Sequence, residues 1–279
     1  MKSEKIAVIL RVFNRLEDLR INVRLIRERW QRFEYYLIVS SNGTPNGFPL
    51  PDEVCRQADL VVELAENAGH LQGNTQLLKA AVPHLPDDCS YTVILEADTW
   101  LMDDALIEKY VRQMQVSGCC WASSEWIEKH WTLGLDFAIL RTDFTKDCFT
   151  QLFAFGEYPE RWVADYMIMH GVKFQYIREL MPVHQPRLLK KFYETPDGRF
   201  RLFPAGRMVT HHIEDLPHGM ADKLYYAGVA AGAPVFGTRT DLRLTLCRFL
   251  CQAILTLARY LPRSRWLRQK KHTYLHLMP

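Results

Sequence analysis

No C-x-x-C pair occurs anywhere in the 279 residues, and the seven cysteines (55, 89, 119, 120, 148, 247 and 251) are odd in number and scattered. That spacing argues against a disulfide framework or a zinc ribbon and favours a reducing compartment. No apolar run approaches the roughly 20 residues of an uninterrupted membrane span. Ile6–Leu10 is broken by Arg11 after five residues, too short for a signal peptide's apolar region. These absences point to a cytoplasmic protein. A net charge of only +3 offers no average case for nucleic acid. The composition, 48% hydrophobic and 24% charged, is that of a globular chain long enough for one large or two small domains.

Ile6-Ala7-Val8-Ile9-Leu10 does not alternate, which predicts a strand buried on both faces. Asn14 followed by Glu17 predicts a capping box, and Leu16, Leu19, Val23 and Ile26 then share one helical face. Further strands are expected over Tyr35–Val39 and Leu60–Leu64, with a helix through Leu77, Leu78 and Ala81. A fourth strand runs through Val93-Ile94-Leu95. Strands interleaved with helices predict a parallel sheet with crossover connections. Later strands are expected at 119–122, 135–140 and 172–177.

The fourth strand ends in Glu96-Ala97-Asp98, two carboxylates one residue apart. Carboxylates do not belong inside an apolar sheet unless paired or bound to a cation. At the carboxyl end of a parallel strand they would face the crevice where α/β proteins bind ligands. There they suit a hard divalent ion shared with phosphate oxygens. The plainer alternative is that Asp98 caps a helix beginning near Asp103, with Glu96 solvated. The polar loops after the other strands would gather at the same edge: Arg11 and Asn14, Ser41 and Asn42, Asn67 and Gly69. Each taken singly is a turn; together they can admit a nucleotide.

Leu10-Arg11-Val12-Phe13-Asn14-Arg15 is similar to the first-strand end of the inverting, family-2-like glycosyltransferases with the GT-A fold. Asn67-x-Gly69, Asn74 and Ala80 resemble that family's helix opening, and Glu96-Ala97-Asp98 stands where it carries a D-x-D. The resemblance covers roughly residues 5 to 180. It implies an α/β, GT-A (nucleotide-diphospho-sugar transferase) fold with a mixed, mostly parallel sheet flanked by helices. It also implies a nucleotide-sugar donor contacted by Arg11, Phe13, Asn14, Ser41, Asn42, Asn67, Gly69, Asn74 and Ala97, with Mn²⁺ or Mg²⁺ on Glu96 and Asp98. Three departures stand out: Ser40-Ser41-Asn42 replaces the usual aspartates after the second strand, Glu96 replaces an aspartate, and the first motif lacks its proline.

In the resembled family a carboxylate on a later helix is the general base, and Asp165 matches it best, Glu160 being the alternative. A helix-dipole role is the bland reading of either. A late histidine often completes the metal's ligand set, and His211 or His212 would fill that place. Adjacent histidines are otherwise ordinary surface or half-buried residues. Trp121, Trp126 and Trp131 offer either platforms for acceptor sugar rings or packing.

From Arg239 onward nine basic residues face a single acid, Asp241, around an apolar stripe of Leu246, Phe249, Leu250, Ala253, Leu257 and Tyr260. The expected division is a catalytic domain over 1–236 and a basic amphipathic helical segment over 237–279. That segment either lies on anionic lipid through 239–273, on the inner face of the plasma membrane, or packs on the domain with solvated arginines. The expected reaction is metal-dependent inverting transfer to a hydroxyl of a glycan or lipid-linked acceptor, in surface polysaccharide or lipopolysaccharide synthesis. Sugar nucleotidyl transfer is the second reading, although Arg11 to Arg15 contains no glycine for the loop that chemistry uses. A non-catalytic, membrane-tethered nucleotide-sugar or glycan-binding module is the third.

Overall fold

A computed structural model describes residues 4–124, 132–155, 158–180, 183–184, 200–203, 205–211 and 213–237, with isolated positions after 241. The chain divides into two compact units. One is built mainly from residues up to Ala97 and from Asp104 to Ile177, the other from Asp98 to Asp103 and from Arg178 to Thr273.

The first unit opens with β1 (Lys5–Val12), α1 (Leu16–Arg29), β2 (Glu34–Ser41), α2 (Asp52–Gln57), β3 (Leu60–Glu63), α3 (His70–Ala81) and β4 (Cys89–Glu96). After β5 (Trp100–Leu101), which belongs to the second unit, it continues with α4 (Ala105–Ser117), β6 (Trp121–Ser123), β7 (Phe137–Arg141), α5 (Thr142–Leu152), α6 (Pro159–Met169) and β8 (Phe174–Tyr176). Seven strands form one sheet in the order β3-β2-β1-β4-β7-β6-β8. β3, β2, β1 and β4 run parallel, as the alternation of strands and helices predicts, whereas β7 is antiparallel to both β4 and β6. Ile6 through Leu10 and Val93 through Leu95 are wholly buried. Each such side chain contributes about 1.5–3 kcal/mol, which explains why these runs show no polar alternation.

Two local expectations give way. Helix α1 starts at Leu16 with Arg15 at its N-cap, so the Asn14–Glu17 capping box does not form; Glu17 and Asp18 instead place charge in the first turn. The bland reading of Asp98 also fails, because β5 intervenes and Asp104 is the N-cap of α4. Helix α6 does stop before a glycine: Gly171 has φ 62°, the left-handed conformation glycine adopts freely.

In the second unit β5 pairs antiparallel with β11 (Met208–Thr210), and β11 with β10 (Arg201–Phe203). Helix α7 (Met220–Ala231) follows, while β9 (Val183–His184) pairs with β12 (Arg268–Gln269). Among the described residues no helix is long and apolar enough to cross a membrane. His212, Trp126 and Trp131 lie outside the described residues, as does most of 239–273.

Candidate metal and nucleotide site

Parallel pairing brings the ends of the first four strands to one edge of the large sheet. Val12 pairs with Ser41, Ser41 with Glu63, and Arg11 with Glu96. The polar loops that follow therefore meet, as their sequence positions require. Asn42 Nδ2 donates to Asn67 Oδ1 at 3.2 Å, and the Gly69 amide donates to the same oxygen at 3.0 Å. Gly73 sits against this pair so closely that a Cβ there would lie 2.7 Å from Asn67 Oδ1 and 2.8 Å from Asn42 Nδ2. Ser41 accepts a hydrogen bond from the Gly43 amide, and Phe13 meets Phe48 edge-on with centroids 5.4 Å apart. Asn14 is exposed.

Arg11 is only 3% exposed, and its guanidinium is used inside the protein. It donates to Asn74 Oδ1 and to the Leu135 carbonyl, and stands 3.5 Å from a Glu96 carboxylate oxygen. A planar guanidinium fork holds its donors in fixed directions, which suits three separate partners better than the compact point charge of a lysine. Arg11 thus fixes Asn74 and Glu96 rather than extending toward solvent. Glu96 keeps 30% of its side chain exposed. Its backbone is clamped as well: its amide donates to the Asp136 carbonyl, and Asn22 Nδ2 donates to the carbonyls of both Glu96 and Ala97 at 3.1 Å. The Ala97 amide donates to the Arg11 carbonyl, so what Ala97 offers this edge is backbone.

In the second unit the β5–β11 register decides the neighbours of Asp98. Leu101 pairs with Met208 and Trp100 with Val209. Continued outward, the same register sets Thr99 against Thr210 and Asp98 against His211. The threonine hydroxyls do meet, 2.6 Å apart. A carboxylate oxygen of Asp98 and a ring nitrogen of His211 lie within 4.8 Å of each other, with the residues 7% and 8% exposed. His211 has φ 71°, a left-handed conformation that costs a side-chain-bearing residue on the order of 1–3 kcal/mol. Strain of that kind persists where surrounding contacts impose it.

The carbonyls of both residues are bound by Lys223 on α7, a lysine with no exposed surface. Its Nζ donates to the Asp98 carbonyl at 2.6 Å and to the His211 carbonyl at 3.3 Å, and lies 4.3 Å from the centroid of the Trp100 ring. Neither Lys223 nor Asn22 is a candidate on sequence grounds. Asn22 did leave one trace, a polar residue on the apolar stripe of α1; Lys223 left none beyond its place in an alanine- and glycine-rich helix.

Asp165 projects from the middle of α6 with half its side chain exposed, 3.4 Å from Arg161. Glu160 is in the first turn, and its carbonyl accepts from the Leu133 amide. Burial pushes the Cys148 thiol on neighbouring α5 up to about 11, so it is a protonated packing group and not a competing nucleophile. Trp121 is wholly buried with its indole N–H on Ser123, which makes it core packing rather than a sugar platform.

No protein-family model matches this chain, and no curated protein sequence does. Among solved structures the chain is similar to the mannosyltransferase PcManGT from Pyrobaculum calidifontis in complex with GDP-Man and Mn²⁺. That match has 16% identity and a TM-score of 0.49, covering 94% of this chain and 82% of that one. It is also similar to S. aureus TarS 1–349, with 12% identity and a TM-score of 0.39, covering 51% of this chain and 48% of that one. The chain thus spans about half the length of that fragment. The same fragment in complex with UDP-GlcNAc gives 12% identity, a TM-score of 0.38, and coverage of 51% and 47%.

Proposed function

We propose that this chain is a GT-A-type inverting glycosyltransferase that moves a sugar from a nucleotide-sugar donor to a hydroxyl of a glycan or lipid-linked acceptor. Glu96, Asp98 and His211 would hold Mn²⁺ or Mg²⁺. The observation that carries this reading is the buried Asp98–His211 pair, with a carboxylate oxygen and a ring nitrogen within 4.8 Å, two residues after the carboxylate that ends β4. Two carboxylates and a neutral imidazole are a donor set that would suit manganese. When bound, the ion supplies charge neutralisation for the departing diphosphate.

The chain's own residues supply the rest. Asn42, Asn67, Gly69 and Asn74 stand at the edge where the nucleotide would lie, and Gly73 leaves the room in which Asn42 and Asn67 pair. Asp165 takes the proton of the acceptor hydroxyl as its oxygen bonds to the anomeric carbon from the face opposite the leaving group. The carbon–oxygen bond to the diphosphate breaks, nucleoside diphosphate departs with that electron pair, and the anomeric configuration inverts. Residues 237–279 are proposed as a basic segment that meets anionic lipid through 239–273 on the inner face of the plasma membrane.

The test is a thermal-shift screen of uridine and guanosine diphospho-sugars with and without Mn²⁺, followed by product analysis of any stabilising donor. Metal-dependent stabilisation and release of nucleoside diphosphate are expected. Release of pyrophosphate, or a donor that binds equally after Asp98→Asn, overturns the assignment.

A further inference from the structure

We propose that Lys223 is a positioning residue for the metal site: its buried ammonium ties the backbone of Asp98 to that of His211 and holds their side chains at ligating separation. This inference rests on the metal reading above and extends it to a residue that binds both ligands through their backbone carbonyls.

Burying an ammonium ion costs several kcal/mol unless it is well satisfied. Here it is met by the carbonyls of Asp98 and His211 and stands over the Trp100 ring. A lysine is a poor choice for filling a core, since a leucine or methionine does so without that penalty. Its retained charge therefore acts on what it touches, and it touches the carbonyls of Asp98 and His211. Strand pairing alone ends at Trp100–Val209, and the threonine pair extends it by one residue. Asp98 and His211 lie one step beyond that threonine pair, where two strand ends would splay. The ammonium bridges that gap and imposes the left-handed His211 backbone, which turns the imidazole toward the carboxylate. Outer contacts that orient ligands in this way are worth about 10- to 100-fold in metal affinity.

The experiment is a titration of the full chain with Mn²⁺ alone, read by the loss of the free-ion electron paramagnetic resonance signal. Wild type is compared with Asp98→Asn, Lys223→Met and Lys223→Ala, and folding is followed by circular dichroism. Lys223→Met keeps the side-chain length and removes the donors. It is expected to bind the same number of ions per folded molecule with a Kd raised about 10- to 100-fold. A residue that serves only stability would lower the number of sites and leave Kd unchanged, and that result overturns the inference while leaving the metal reading standing. Wild type that takes up no Mn²⁺, or Asp98→Asn that takes it up as wild type does, overturns both. Should the methionine variant fail to fold, Lys223→Ala prepared in propylammonium decides the matter, because that cation fits the space vacated beyond Cβ. A saturable gain in Mn²⁺ affinity with propylammonium supports the role, and an affinity indifferent to it overturns it.

Discussion

Glu96 and Asp98 are two residues apart, yet they are held by opposite kinds of structure. Glu96 ends a strand buried in a seven-stranded sheet, and its neighbours Arg11, Asn22 and Asn74 come from the elements that run alongside in the same half of the chain. Asp98 belongs to a three-stranded sheet whose partner strand begins at Met208, and its carbonyl is bound by a lysine 125 residues away. The first carboxylate is fixed by the sheet-and-helix pattern and the second by long-range pairing.

The largest expected effect follows directly. Asp98→Asn should reduce Mn²⁺-dependent transfer more than about 100-fold, beyond what loss of an outer contact does, with little change in urea-unfolding midpoint. Equal activity of the variant would dissolve the distinction between the two carboxylates. Arg11→Met should act the other way, costing roughly 3 kcal/mol of stability because Glu96, Asn74 and the Leu135 carbonyl lose one shared partner. Equilibrium denaturation measures it, and Arg11→Lys should recover only part, since an ammonium cannot reproduce the fork. Asn22→Ala should cost about 2 kcal/mol by removing the donor to the Glu96 and Ala97 carbonyls. Its effect on Mn²⁺ affinity should be smaller than that of Lys223→Met, which sharpens the contrast between the two halves. Smallest is Gly73→Ala, about 1 kcal/mol, since the half-buried Asn67 side chain can give way. Its signature is a raised KM for donor with unchanged affinity for the ion; an unchanged KM would remove Gly73 from the nucleotide edge.

The strands of the large sheet were legible because burial on both faces demands uninterrupted apolar runs, and such runs are visible at Ile6–Leu10 and Val93–Leu95. The loops at their carboxyl ends were legible as a group for the same reason: parallel pairing with crossovers leaves those loops no other edge. The start of α1 was misread, since Asn14 and Glu17 have capping chemistry while the chain leaves β1 in a path that puts Arg15 at the cap. Arg11 was visible as a residue of that edge, but its inward-facing guanidinium was not. Whether an arginine at a strand end faces solvent or its neighbours depends on what those neighbours lack, and here they offer a carbonyl, an amide oxygen and a carboxylate.

Composition and periodicity by themselves determined an α/β chain with parallel strands, a carboxylate pair at the end of the fourth, and a basic segment after residue 237. Only tertiary structure decided that Asp98 meets His211, that Thr99 meets Thr210, and that a wholly buried lysine joins them. The physical reason is range: hydrophobic period records how one element faces its core, whereas register between strands more than a hundred residues apart leaves no mark on either one until they pair.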